Sequence, residues 1–142
     1  MKVNDSLVIT CIFCKIVKKE IKVFLIQETK NALAFLDIQP LSKGHSLVIS
    51  KQHYSSFLTL SKEFLQENFE LAQQITELLI KKLKPNGINI LSNIGSLAFQ
   101  SVFHFHVHII PKYEHEKGFI LLNNIETHQE DLNLVHEQLT VN

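Results

Sequence analysis

The sequence lacks an excess of charge of either sign. Fourteen lysine and arginine side chains face fourteen aspartates and glutamates. It therefore carries no electrostatic footprint for a nucleic-acid duplex or an anionic membrane surface. Cysteine is scarce: two residues, Cys11 and Cys14, cannot make the disulfide framework of a small secreted domain. No apolar run approaches the roughly 20 residues of a membrane helix. The apolar stretch from Leu7 to Phe13 follows Lys2 as a signal peptide would. It has no small-residue cleavage site and runs straight into Lys15, Lys18 and Lys19. Repeats, low-complexity tracts and linkers are missing too. With 142 residues, 45% of them hydrophobic, the chain is expected to be one cytoplasmic domain over 1–142 with neither nucleic acid nor membrane as partner.

The pattern of the rest predicts an α+β fold. Ile12 to Val17 suits a short helix. Val23–Gln27 and Ala32–Asp37 read as strands around a polar turn, and His45–Ser50 as a third. From Ser61 to Lys84 the period becomes helical, with Leu65, Phe69, Ala72, Ile75, Leu79 and Leu83 on one face, Ser61 as N-cap and Pro85-Asn86-Gly87 as the stop. Ile88–Ser92 and Phe103–Ile110 are the fourth and fifth strands, the last ended by Pro111. Thr127 to Glu130 has the form of a capping box before a short C-terminal helix, in which His128 and His136 are solvated. The expected architecture is a five-stranded, largely antiparallel sheet, one long helix packed on it, and short helices at both ends.

Eight histidines in so short a chain demand an explanation. His104, His106 and His108 alternate with Phe103, Phe105, Val107 and Ile109. On a strand the three imidazoles share one face and the apolar set packs the other. At about 3.3 Å per residue, His104 and His108 would lie roughly 13 Å apart, too far to ligate one ion. The histidines must then divide into at least two jobs; nucleophile, proton carrier and metal ligand are all open to neutral imidazole. The plainer alternative is a polar sheet face. Cys11-x-x-Cys14 has the spacing of a metal half-site, with a redox pair or two buried thiols as alternatives.

Gln100-Ser-Val-Phe-His104-Phe-His106-Val-His108-Ile-Ile resembles the signature of the histidine-triad (HIT) family. Cys11-Ile-Phe-Cys14-Lys-Ile, Leu33-Ala-Phe-Leu-Asp37-Ile, Lys43-Gly-His45-Ser-Leu-Val-Ile, Lys51-Gln-His53 and Asn93-Ile-Gly95 are similar to its bacterial branch, in the same order, over about residues 11–113. The remainder, 114–142, is a C-terminal extension. The resemblance implies the HIT-like fold and hydrolysis at the phosphorus on a nucleoside 5′ position, with phosphoramidates or dinucleoside polyphosphates as substrates. His106 would be the nucleophile, forming a covalent nucleotidyl-histidine. His108 and His45 would assist it, Asn93 and Ser101 would donate hydrogen bonds to the phosphate and leaving group, and Gln100 would contribute to nucleotide binding at the same loop. A purine nucleotide resembling AMP would lie in an apolar slot of Ile12, Phe13, Ile16, Phe35 and Ile38, its ribose on Asp37. For the five apolar residues plain core is the alternative, and for Asp37 a turn cap.

The resemblance also implies a structural Zn2+ on Cys11, Cys14, His53 and His104, a closed four-ligand set, and a homodimer. The sequence departs from the family at Phe99, where a glycine is usual before the Gln-Ser step. Phenylalanine there is expected to exclude glycine-only conformations and to alter the phosphate loop. Two other readings stand beside the enzyme: a nucleotide-binding regulatory module with weak turnover, and a zinc-binding interaction protein whose histidines serve only metal.

Overall fold

The computed structural model describes residues 10–120 and 131–141. Its strands are β1 (Leu25–Glu28), β2 (Ala32–Leu36), β3 (Ser46–Ser50), β4 (Gly87–Leu91) and β5 (His106–Lys112). Its helices are α1 (Ile12–Val17), α2 (Lys62–Leu83) and α3 (Leu132–Thr140). The strands form one sheet in the order β1-β2-β3-β5-β4, with every pairing antiparallel. This is the α+β architecture the pattern predicts. Its consequence is that β5, the histidine strand, is held on both sides, by β3 and by β4.

The sheet separates two apolar layers. On one face Ala32, Ala34, Val48, Phe105, Val107 and Ile109 pack against Leu71, Ala72, Ile75 and Leu79 of α2. On the other, Leu33, Phe35, Leu47 and Ile49 pack against Phe13 and Ile16 of α1. Helix α2 starts where Ser61 accepts the Phe64 N–H, and ends at Lys84, in the left-handed region with φ 51°. Its buried stripe is Asn68, Leu71, Ala72, Ile75 and Leu79. That is rotated from the expected face: Leu65 and Leu83 are only half-buried, and Phe69 is 38% exposed. The polar residue in the stripe, Asn68, is satisfied on one side only: its amide nitrogen donates to the Phe64 carbonyl one turn back, at 2.8 Å, while its buried Oδ1 has no partner among the described residues. The β1–β2 turn is tied to the same helix. Glu67 accepts from Thr29 Oγ1, from the Asn31 N–H and from Asn31 Nδ2 at 2.5–2.8 Å.

Several expected boundaries move. β1 begins two residues late, at Leu25, and contains an irregularity between Leu25 and Gln27. β2 stops before Asp37 and β3 starts after His45; β4 begins at Gly87 and ends before Ser92. The largest shift is in β5, which starts at His106 rather than Phe103. The Phe105 N–H leaves the ladder to donate to the Tyr54 carbonyl at 2.6 Å, so pairing with β3 begins only at Ile49–His106. His104 is therefore buried in a bend before the strand, and Phe103 is 53% exposed instead of facing the core. Pro111 does not end β5 either. Pairing with β3 has stopped at Ser46–Ile109, so no ladder donor is needed there, and the Pro111 carbonyl accepts from Ser42 Oγ at 2.5 Å. The expected capping box at 127–130, with His128, lies outside the described residues. Asp131 accepts the Asn133 N–H at the start of α3, and His136 is exposed.

The rotated stripe has a measurable consequence. In urea denaturation, Leu71→Ala is expected to lose about 2–5 kcal/mol, as a fully buried leucine does. Leu65→Ala, on the face the periodicity favours, is expected to lose less than half as much.

Candidate active site and metal centre

His106 and His108 project from the β5 face that meets α1, opposite Ile49 and Leu47 of β3. Their ring centroids lie 5.0 Å apart. Phe13 of α1 stands edge-on to His106 at 5.1 Å and to His104 at 5.7 Å. His106 is 4% exposed, and its Nδ1 lies 2.7 Å from the His104 carbonyl. A carbonyl can only accept, so Nδ1 carries the proton and Nε2 keeps its lone pair. Ser92 Oγ donates to the His106 carbonyl at 2.7 Å, fixing the backbone from the β4 side.

A second chain of bonds sets the neighbouring tautomers. The Leu41 N–H donates to His45 Nδ1 at 3.1 Å, which places the His45 proton on Nε2. That Nε2–H donates to His108 Nδ1 at 2.9 Å, which leaves the His108 proton on its own Nε2. Asp37 Oδ2 lies 3.6 Å from His45 Nε2. Burial holds the pKa of His106, His45 and His108 below the ordinary 6.5, with Asp37 opposing it in each case. For His108, burial together with His106 and His45 brings the value to about 4. The three imidazoles are neutral at physiological pH. The arrangement pairs a nitrogen lone pair with a nearby N–H donor, which suits nucleophilic attack with proton transfer.

The loop from Asn93 to Ser101 borders this strand. Gln100 is buried and its amide is engaged with backbone: Oε1 accepts the Gly95 N–H at 2.9 Å, and Nε2 donates to the Ser55 and Val102 carbonyls at 2.7 and 3.2 Å. It braces the loop. Asn93 Nδ2 reaches the Phe99 carbonyl at 3.4 Å, and Ser101 is exposed. Phe99 adopts φ 66°, ψ 20°, so phenylalanine takes a left-handed conformation here instead of excluding it, with the residue 86% exposed. For a residue bearing Cβ that conformation costs about 1–2 kcal/mol.

The slot residues divide. Phe13, Ile16 and Phe35 belong to the buried layer, whereas Ile12 and Ile38 are 45% and 78% exposed. Asp37 caps a turn with one oxygen, Oδ1 accepting the Gln39 N–H at 2.9 Å, and directs the other toward His45.

Cys11, Cys14, His53 and His104 come together, their ligand atoms all within 4.8 Å of one another. His104 Nδ1 is 3.4 and 3.5 Å from the two sulfurs, and His53 Nδ1 is 3.2 Å from Cys14 Sγ. Ligands bonded at about 2.0–2.3 Å around a tetrahedral ion sit at about such separations. The tautomer agrees: His104 Nε2–H donates to the Ser50 carbonyl at 2.6 Å, which turns the Nδ1 lone pair to the sulfurs. These four residues could hold a metal ion. Burial, with Cys11 beside it, pushes the Cys14 thiol up to about 12, so an ion must displace its proton. Asp37, His45 and His108 also cluster within 4.8 Å, but His45 Nε2 carries a proton that it donates, which closes it to a cation. The histidines thus do divide their jobs: His104 faces the sulfurs, His106 stands free at Nε2, and His108 joins His45. The backbone partners at Leu41 and Ser50 had no signal in the side-chain sequence.

The family model for the HIT domain matches residues 18–115. This chain belongs to the HIT family. It is 40% identical over 140 residues to adenosine 5'-monophosphoramidase HNT1 of Saccharomyces cerevisiae, covering 98% of this chain and 86% of that protein. Among solved structures, a HIT family protein from Bacillus anthracis superposes with a TM-score of 0.84 at 36% identity, covering 92% of each chain. A Zn-bound histidine triad family protein from Mycobacterium smegmatis gives 0.70 at 31% identity, covering 88% of this chain and 85% of that one.

The depressed histidines predict an acid sensitivity. Between the unfolded value near 6.5 and the folded value of about 4 for His104 and His108, the unfolded chain binds protons that the native state refuses. Stability of the metal-free protein is therefore expected to rise with pH across that window and to fall as pH drops through it. Denaturation midpoints at a series of pH values check this; a flat profile from 6.5 to 4 would contradict it.

Proposed function

We propose that this chain hydrolyses nucleoside 5′-phosphoramidates, releasing AMP from the adenosine substrate, through a covalent nucleotidyl group on His106. The observation that carries the reading is the hydrogen bond from His106 Nδ1 to the His104 carbonyl, which leaves Nε2 as a neutral, oriented nucleophile. The likeness to adenosine 5'-monophosphoramidase HNT1 supports the substrate class. Nε2 attacks the phosphorus and the P–N bond breaks. The departing amine takes a proton, and we assign the His108 Nε2–H, set by the chain through His45, as its donor. Water then attacks the nucleotidyl-histidine, gives its proton back to His108 and frees the nucleotide. Dinucleoside polyphosphates offer the same phosphorus with a phosphate leaving group.

In this reading Asn93 and Ser101 meet the phosphate, and Gln100 serves it by holding the loop. Asp37 Oδ2 receives the ribose, and Ile12 and Ile38 border the base with Phe13, Ile16 and Phe35 behind them. Cys11, Cys14, His53 and His104 hold structural zinc, which when bound ties α1 to the segment before β5. Two thiols kept reduced for that purpose accord with a cytoplasmic location. Phe99 favours a second reading, a nucleotide-binding module with weak turnover, because its side chain stands at the phosphate loop where the family usually has none.

Adenosine 5′-phosphoramidate distinguishes the two. Wild type is expected to release AMP, and His106→Ala to lose at least about 1,000-fold in kcat while still binding AMP, since removing a nucleophile costs this much or more. Binding of AMP without turnover by wild type would favour the regulatory module.

We also propose a homodimer through α2 and the β4 edge. A groove of about 660 Å³ there is lined by Gln66, Phe69, Gln73, Thr76 and Ile90, with Ile90 51% exposed. Light scattering is expected to give a dimer for wild type and a monomer for Ile90→Glu; a monomeric wild type would refute it.

A further inference from the structure

We propose that the Cys11–Cys14–His53–His104 centre is a positioning device for the nucleophile: occupied by a metal, it fixes the tautomer of His106. The inference rests on the functional reading above, but its physical basis is local. His104 is shared between the two sites. Its side chain belongs to the cluster through Nδ1, and its carbonyl is the acceptor that holds His106 Nδ1–H at 2.7 Å.

That carbonyl lies outside the sheet. The ladder with β3 starts at His106, so no strand pairing fixes residue 104. What holds it is the Phe105 N–H on Tyr54, the His104 Nε2–H on Ser50, and the contacts of Nδ1 with the two sulfurs. The first two bonds restrain the neighbouring backbone and one end of the ring. The third, between an imidazole and two thiols at 3.4–3.5 Å, is weak until an ion draws all four ligands together. The cluster also governs α1. Cys11 caps that helix and Cys14 lies within it, with Phe13 directly before it and Ile16 two residues after it in the apolar layer. Phe13 touches both His104 and His106. Metal binding thus clamps the acceptor of the His106 proton and the ring that walls His106 from the other side. Cys11, Cys14 and His53 are positioning residues in this scheme, with no contact to substrate required.

A relaxed His104 carbonyl would let the His106 proton exchange between Nδ1 and Nε2, and a proton on Nε2 blocks attack. Outer-shell partners of this kind are worth about 10- to 100-fold in activity. Nucleotide affinity, which does not depend on the tautomer, is expected to change little.

The test compares zinc-loaded and chelator-stripped wild type, with His53→Ala as a second way of opening the centre should the stripped protein unfold. Cobalt substitution first reports the ligand set by its visible absorption. Nitrogen-15 NMR of the histidine rings then reads the His106 tautomer directly, and AMP release from adenosine 5′-phosphoramidate is measured on the same samples. Expected are a single Nδ1–H form with zinc, mixed forms without it, and a loss of about 10- to 100-fold in kcat with KM nearly unchanged. Identical His106 spectra with and without zinc in a folded protein would overturn the proposal, as would failure of cobalt to bind the two thiols. If the tautomer responds to zinc but loaded wild type releases no AMP, the positioning role stands and the hydrolase reading fails. If loaded and open forms release AMP equally, the positioning role fails and the hydrolase reading stands.

Discussion

The hydrogen bond between His106 Nδ1 and the His104 carbonyl organises the rest of the site. An imidazole has two nitrogens of similar basicity, and a nucleophile must keep one of them free. A side-chain partner could itself gain or lose a proton, but a peptide carbonyl cannot. Using the backbone of the histidine two residues earlier ties the choice of tautomer to chain geometry. That geometry must be secured where the strand has not yet begun, and the surrounding loop shows how. Gln100 ties three backbone groups together, Tyr54 receives the Phe105 N–H, and Ser50 anchors the His104 ring.

The same tautomer logic explains why two histidine clusters about one strand have different chemistry. Both gather three or four ligand atoms within 4.8 Å. At His104 the far nitrogen donates to a carbonyl, so the near one offers a lone pair to a cation. At His45 the far nitrogen accepts from the Leu41 N–H, so the near one offers a proton to His108. One backbone group in each case, an acceptor at Ser50 and a donor at Leu41, decides between metal ligand and proton donor. Distance alone would have classed the two clusters together.

Much of this was legible in the sequence, for identifiable reasons. The long helix showed itself through period and end signals, and Ser61 does cap it. Its face was misread by about one position because Asn68 sits in the buried stripe. A polar residue there looks like surface until its bond to the Phe64 carbonyl is seen. The alternation from His104 to His108 correctly separated His106 and His108 from Phe105, Val107 and Ile109. It failed at Phe103 and His104, where one backbone hydrogen bond to Tyr54 takes the chain out of the ladder. Period-two pattern reports which side a residue would face on a strand, and it cannot report where pairing starts. Spacing alone marks Cys11-x-x-Cys14 as a metal half-site, but joining His53 and His104 to it rests on resemblance, since their separation along the chain carries no geometric signal of its own. Gln100 lies at the expected loop, and only the structure shows how it acts there: its buried amide is occupied by the Gly95, Ser55 and Val102 backbone.

The sequence contains no arginine at all, so the phosphate recognition proposed above would work without guanidinium. Under the proposed function, the neutral imidazoles would leave dipoles close to the phosphate: backbone N–H groups, the His108 Nε2–H and the Asn93 amide. Dipoles act only at short range and in the right orientation, so the loop that supplies them must be rigid. That requirement makes the conformation of Phe99 intelligible. Holding a left-handed residue at φ 66° costs about 1–2 kcal/mol unless the residue is glycine. The chain accepts that cost and keeps the turn, with the Phe99 carbonyl facing Asn93 and its N–H on Ser96. Phe99 thus adopts a left-handed conformation that glycine takes without strain. What changes is the rim, since residues 97 and 99 are 99% and 86% exposed beside the loop. Under the proposed function, the exposed Phe99 side chain would bear on what approaches the phosphorus from outside, while its backbone holds a glycine-like conformation.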